Sequence, residues 1–262
     1  MVLFWHECKM NGKTLVIWSC CVGLLNCGCL LLFESLSESM EQMSEAYAQM
    51  GSFSTALGLD RLSVSTMEGF YATEISLIFA LGGAMFAAMI GASMLSKEEE
   101  GHTVEFLYAL PFGRNYIVRW KYFTMVVLTF VFQLICMLGE RAGFAVAGEM
   151  PPVQEYMLFH EAQFLMHLEI GSICFLVSSR CKRRQIGMAL GLAVLFYLAD
   201  MMCRVIPDLE NLKYITPYYY SNAVDIFTSG NVSGTMLMVG IGVTAGMALL
   251  AMWGYERRDL SV

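Results

Sequence analysis

Charge is what this sequence has least of. Only 15% of its 262 residues are Asp, Glu, Lys or Arg, against about 25% in a soluble globular domain. With 57% hydrophobic residues, an ordinary soluble fold is excluded. Period-two alternation is missing too. The apolar runs are continuous, which excludes a membrane β-barrel and leaves helices to satisfy the backbone in lipid. No P-loop, GxxxxGK[ST], occurs, so any ATP hydrolysis linked to this chain belongs to another one. The nine cysteines contain no CxxC pair, which removes the common zinc and redox spacings. Those inside apolar runs act as small apolar residues. A zinc-protease HExxH beginning at His160 needs a second His where Phe164 stands. No nucleophile–base pair stands out, so no catalytic residue, metal ligand or cofactor site is assigned to the chain. The first apolar run is too long for a cleaved signal and lacks a small-residue cleavage site, so it is expected to remain as an anchor.

What is present is six apolar segments, over about 14–33, 74–95, 122–138, 158–178, 186–206 and 234–255. Each is near the roughly 20 residues that cross a bilayer as a helix. The expected fold is therefore all-α: one polytopic membrane domain, 1–262, with six transmembrane helices. Residues 1–13 read as an amphipathic lead-in, with Phe4 and Trp5 suited to the membrane interface. In the long connector 34–73, Leu36, Met40, Met43, Tyr47 and Met50 recur at steps of four and three. Glu34, Glu38, Glu41 and Glu45 take other positions on the wheel. This predicts an outer amphipathic helix lying on the bilayer or packing on the bundle. Pro151 and Pro152 close a loop over 139–152. Gly187 with Gly191, and Gly242 with Gly246, are small-xxx-small pairs expected to serve packing within one bundle. The outer Pro217–Tyr220 segment reads as part of an interfacial aromatic belt.

Orientation follows from Lys and Arg. Alternating connectors place Lys9, Lys13, Lys97, Arg114, Arg119, Lys121, Arg180, Lys182, Arg183, Arg184, Arg257 and Arg258 on one side. Arg61, Arg141, Arg204 and Lys213 lie on the other. Twelve against four puts both termini and the stretch 97–121 in the cytoplasm. The net charge of −7, with its positive charges in short membrane-flanking clusters, gives no case for nucleic acid.

The stretch 97–121, KEEEGHTVEFLYALPFGRNYIVRWK, is the one long charged run in the middle of the chain. Ser96 can cap a helix whose first turn holds Glu98, Glu99 and Glu100, acids that complement the helix dipole. Val104, Leu107 and Leu110 form an apolar edge with Phe106 beside it, and Pro111 ends the segment. A short amphipathic helix over about 96–110 follows. Large apolar residues at helical spacing favour docking into a partner's groove over a solvated loop.

EEEGHTVEFLYALPFGR with its IVxxK continuation resembles the type-2 ATP-binding-cassette (ABC) exporter permeases. The matching residues are Glu98, Glu99, Thr103, Glu105, Leu107, Pro111, Arg114 and Lys121, with His102 intervening between Gly101 and Thr103. The six spans, the long first outer loop and the terminal YERRDL extend the resemblance over the chain. It implies a permease in the cell membrane that pairs with a second permease, identical or not. It also implies a separate ATPase that holds the ATP and Mg and pushes the 96–110 segment as a coupling helix. Glu98, Glu99, Thr103, Glu105, Leu107, Pro111 and Arg114 are then the coupling residues. A different class of reading, an ATP-independent secondary transporter or channel, rests on span four. There His160 and Glu161 are expected at the outer water interface. His167 and Glu169 lie deeper, either lining a translocation path or packing between helices.

Overall fold

The computed structural model describes residues 2–48, 51, 54, 58–59, 61–109 and 111–258, and of these not the side chains of 34 and 36–48. Six helices are long and apolar enough to cross a membrane, and no strand occurs among the described residues. The protein is an all-α polytopic membrane protein. In chain order its elements are α1 (Val2–Ala48), α2 (Met67–Ser93), α3 (Lys97–Glu100), α4 (Val104–Tyr108), α5 (Arg114–Ala147), α6 (Val153–Arg180), α7 (Ile186–Val205), α8 (Ala223–Ser229) and α9 (Gly234–Glu256). A 3-10 turn, Pro207–Tyr214, follows α7.

The lead-in, the first span and the outer amphipathic segment are one helix, α1, rather than three pieces. Nothing breaks it: the first proline of the chain is Pro111, and helix interiors tolerate every other residue at modest cost. The apolar and acidic faces expected for 34–50 lie outside the described side chains. Helix α5 outruns its expected 122–138 by two turns at each end, to Arg114 and Ala147. It stops where Gly148 takes φ +72, a left-handed conformation that glycine adopts without strain. The expected loop 139–152 is thus only 148–152. Helix α6 likewise begins at Val153, just past Pro152. Helices α7 and α9 end within a residue of their apolar runs.

Helices α2 and α6 are the most enclosed spans and form the centre; α1 packs on α5, while α7 and α9 lie outside. Ala80, Ala84, Ala88 and Ala92 recur every fourth residue along α2 and are buried with Ile170 and Cys174 of α6 and Ala189 and Ala193 of α7. Small side chains let helix backbones approach, and packing rather than hydrophobicity holds spans together in lipid. The closest approach is at Gly91, where a Cβ would stand 2.3 Å from the Gly171 carbonyl oxygen. By contrast a Cβ at Gly187, Gly191, Gly242 or Gly246 would meet open space. These pairs do not pack within this bundle, contrary to the sequence expectation. Their helices turn those positions outward.

Helix α2 enters through Thr66, whose side chain accepts from the Gly69 backbone N–H, and then widens into a π-helical turn, Tyr71–Ile75. That turn delivers Tyr71 into the core against Phe144, Tyr156, Phe159 and Phe227.

Gly91→Val is expected to force α2 off α6 at a cost of about 1–3 kcal/mol. Gly187→Val, in open space, should be neutral. Thermal unfolding in detergent compares the two. Equal midpoints would mean that the α2–α6 contact is looser than described.

Candidate functional site

The charged stretch is folded differently from a single helix over 96–110. Helix α3 ends at Gly101, and His102 takes φ +51, so the chain turns before α4 begins. Ser96 does not cap α3; its hydroxyl donates back to the Ala92 carbonyl. The buried turn between α2 and α3 is held from outside instead, by Ser178 Oγ of α6 accepting from the Leu95 and Ser96 N–H groups at 3.0 and 3.1 Å. Leu110, expected on the apolar edge, lies outside the described residues.

Four consecutive residues, Lys97 to Glu100, then fasten four separate parts of the chain. Lys97 pairs with Glu7 of α1. Glu98 pairs with Lys121 of α5. Glu99 accepts from Arg258, just past α9, at 2.8 Å. Glu100 accepts from Arg184, in the α6–α7 connector, at 2.9 Å. Lys121 is the deepest of these, with 0% exposure. Its ammonium also donates to Glu7 Oε1 at 2.7 Å and to the Met94 carbonyl at 2.8 Å. Three acceptors match three N–H donors, which is the condition for holding a buried charge.

Glu100 is exposed and lies outside the spans. Its hydrogen bond from Arg184 holds the carboxyl below its usual 4.5. A depressed folded value means that the pair contributes above the usual carboxylate range. The contribution is lost as pH falls through the folded value.

Arg258 also donates to the Ser179 and Cys181 carbonyls, and Arg114 donates to the Arg258 carbonyl at 2.7 Å. Asn115 donates to Glu256 at 2.9 Å. The YERRD terminus is therefore sewn to the starts of α3 and α5 through Glu256 and Arg258. Of the expected coupling residues, Glu98, Glu99 and Arg114 turn inward and are spent on these contacts. Thr103, Glu105 and Pro111 remain exposed, and Leu107 is half-buried. Val104 faces the core, and Phe106, at 76% exposure, carries the outward apolar surface of α4. A groove of about 310 Å³ runs between α1 and α4, lined by Val2, Leu3, His6, Phe106, Leu107 and Phe112 among others. Glu7 was not singled out by sequence, and Arg184 and Arg258 entered only through the charge count and, for Arg258, the terminal YERRDL match.

At the other end of α5 a second buried cluster forms, about 28 Å from Lys121 at 1.5 Å per residue. Glu140, fully buried, accepts from Asn26 at 2.8 Å, Tyr71 at 2.9 Å and Tyr156 at 3.0 Å, with His160 Nε2 at 3.1 Å. His160 is thus buried rather than at a water interface, while Glu161 is exposed. Composition places ionisable residues near a span's end in water; here Glu140 supplies the polar partner that makes burial tolerable. His167 and Glu169 do not meet. His167 Nε2 donates to the Ala80 carbonyl at 3.1 Å, and its ring occupies the space a Cβ at Gly83 would fill. Glu169 accepts from Tyr220 at 2.9 Å. Both link helices.

Comparison with protein families matches residues 1–260 to the family described as ABC-2 family transporter protein. No curated protein matches the chain.

Lys121→Met takes the ammonium from half-buried Glu98 and leaves buried Glu7 with Lys97 alone, and breaking a buried pair from one side costs about 3–5 kcal/mol. The thermal midpoint in detergent is expected to fall sharply, and adding Glu7→Gln should restore part of the loss. An unchanged midpoint for the single variant would show that the cluster does not hold this end together.

Proposed function

The chain belongs to the ABC-2 family of transporter proteins, and on that premise we propose that it is the membrane-spanning permease subunit of an ABC exporter. A separate ATPase supplies ATP binding and hydrolysis with its own Mg. A second permease, identical or related, completes the pathway. The complex works by alternating access between inward- and outward-facing states. The excess of Lys and Arg on one side supports a cytoplasmic-membrane location with both termini and the 97–121 stretch in the cytoplasm.

The observation that carries the proposal is the division of labour within that stretch. The acids of α3 are turned inward onto α1, α5 and the segments after α6 and α9. That leaves Glu105 and Phe106 at the outward tip of α4, beside exposed Thr103 and Pro111. A tip with one large aromatic and one acid suits a partner groove with apolar walls and a basic rim, because a buried aromatic anchor supplies most of the energy of such contacts. Movement of the ATPase against this tip passes through α3 into the helix ends fastened to it. Glu98, Glu99 and Arg114 brace that path rather than touch the ATPase, while Glu105, Phe106 and Leu107 face it. His167 and Glu169 serve as contacts within the wall.

Phe106→Asp and Glu105→Lys are each expected to weaken association with the ATPase on the order of tenfold, about 1.4 kcal/mol, and to abolish ATP-driven transport. The unfolding midpoint of the chain should stay as in the wild type. Phe130→Ala, on the exposed middle of α5, is the control. Unchanged co-purification and unchanged transport in both tip variants would overturn the coupling role.

A further inference from the structure

A cavity of about 60 Å³ lies between α2, α6, α7 and the segment 216–224, apart from the charged stretch and from the Glu140 cluster. Thr73, Leu77, Tyr197, Met201 and Asn222 are its half-buried lining residues. Three polar side chains at least nine-tenths buried line it, and each presents an oxygen without a partner: Gln163 Oε1, Asp200 Oδ1 and Tyr218 Oη. The orientation of each follows from its other contacts. Gln163 Nε2 donates to the Ser221 carbonyl at 2.8 Å, and since a carbonyl only accepts, the amide oxygen is left for the cavity. Arg204, a donor only, takes Asp200 Oδ2 at 3.0 Å and leaves Oδ1. Tyr218 leans edge-on to Tyr197 at 5.7 Å, which puts a second aromatic ring on the wall.

Buried polar atoms in proteins are nearly always answered by a partner, so three unanswered oxygens on one cavity call for a donor. All three residues line this one cavity. A water molecule can donate to Gln163 Oε1 and Asp200 Oδ1 and accept from the Tyr218 hydroxyl, but it brings no charge to the carboxylate. A protonated primary amine brings three N–H groups and a positive charge, which suits a carboxylate oxygen and an aromatic wall. The cavity exceeds the roughly 10–15 Å³ that one water requires and has room for a small head group.

We propose that Gln163, Asp200 and Tyr218 form a binding site for a primary ammonium group. The site is independent of coupling to an ATPase, since all three acceptors belong to this chain.

The test is a titration of the full-length chain in detergent with methylammonium chloride at constant ionic strength, read by the unfolding midpoint and by calorimetry. A saturable rise in the midpoint is expected. Tyr218→Phe removes only an unpartnered hydroxyl and should weaken binding at least fivefold while leaving the unliganded midpoint in place. Asp200→Asn should weaken it at least tenfold. Tetramethylammonium, which has no N–H, should give no saturable shift. The proposal falls if methylammonium gives none either, if Tyr218→Phe binds as tightly as the wild type, or if sodium or tetramethylammonium reproduces the effect.

Discussion

An ammonium with no exposure inside a helical bundle has to be answered where it stands, and Lys121 is that ammonium. Removing a charge from water costs several kcal/mol even after relaxation, and only close, complete pairing offsets it. Its answers come from far apart: Glu7 is 114 residues away, Glu98 is 23 away and the Met94 carbonyl is 27 away. Satisfying one nitrogen therefore sets the height of α1 against α5 and the place where α2 stops. Lys97, sharing Glu7 with Lys121, extends the same requirement to α3.

The opposite end repeats the principle with the sign reversed. Glu140 is a buried acid surrounded by donors from α1, α2 and α6. Between the two clusters lies an aromatic middle, where Phe132 stacks on Phe86 at 4.7 Å and on Phe79 at 6.3 Å. The separation of the clusters along α5 is close to the roughly 30 Å of a bilayer's hydrocarbon. The polar fastenings thus sit near the two edges of the apolar slab, and the packing of small and aromatic side chains fills it.

Much of this was legible before any coordinates. Six continuous apolar runs specify six spans, and α7 and α9 end where their runs end because polar residues abut them directly. The charged stretch was legible as a bundle end because a run such as KEEE between two apolar segments has nowhere else to go. What it could not specify is which partner each charge takes, since Glu98, Glu99 and Glu100 look alike in sequence and choose Lys121, Arg258 and Arg184. The break at His102 was equally hidden, because a non-glycine residue at positive φ leaves no compositional mark. Helix α5 appeared too short because Glu140 and Arg141 read as loop residues, although Glu140 has a buried cage waiting for it. The Asp200 cavity assembles from residues 72 to 224 and has no local pattern at all.

The joint at His102 makes an angled bracket of the two short helices. One arm, α3, is bolted into four walls by four successive side chains; the other, α4, stands freer, held by Val104 in the core and by Tyr108 packed against it. In such a bracket a load on the free arm is not carried down one post. It is divided at the bolts, reaching α1, α5, the foot of α9 and the α6–α7 connector together. The bundle end then responds as a plate rather than as separate rods, and loosening any one bolt redistributes the load among the other three.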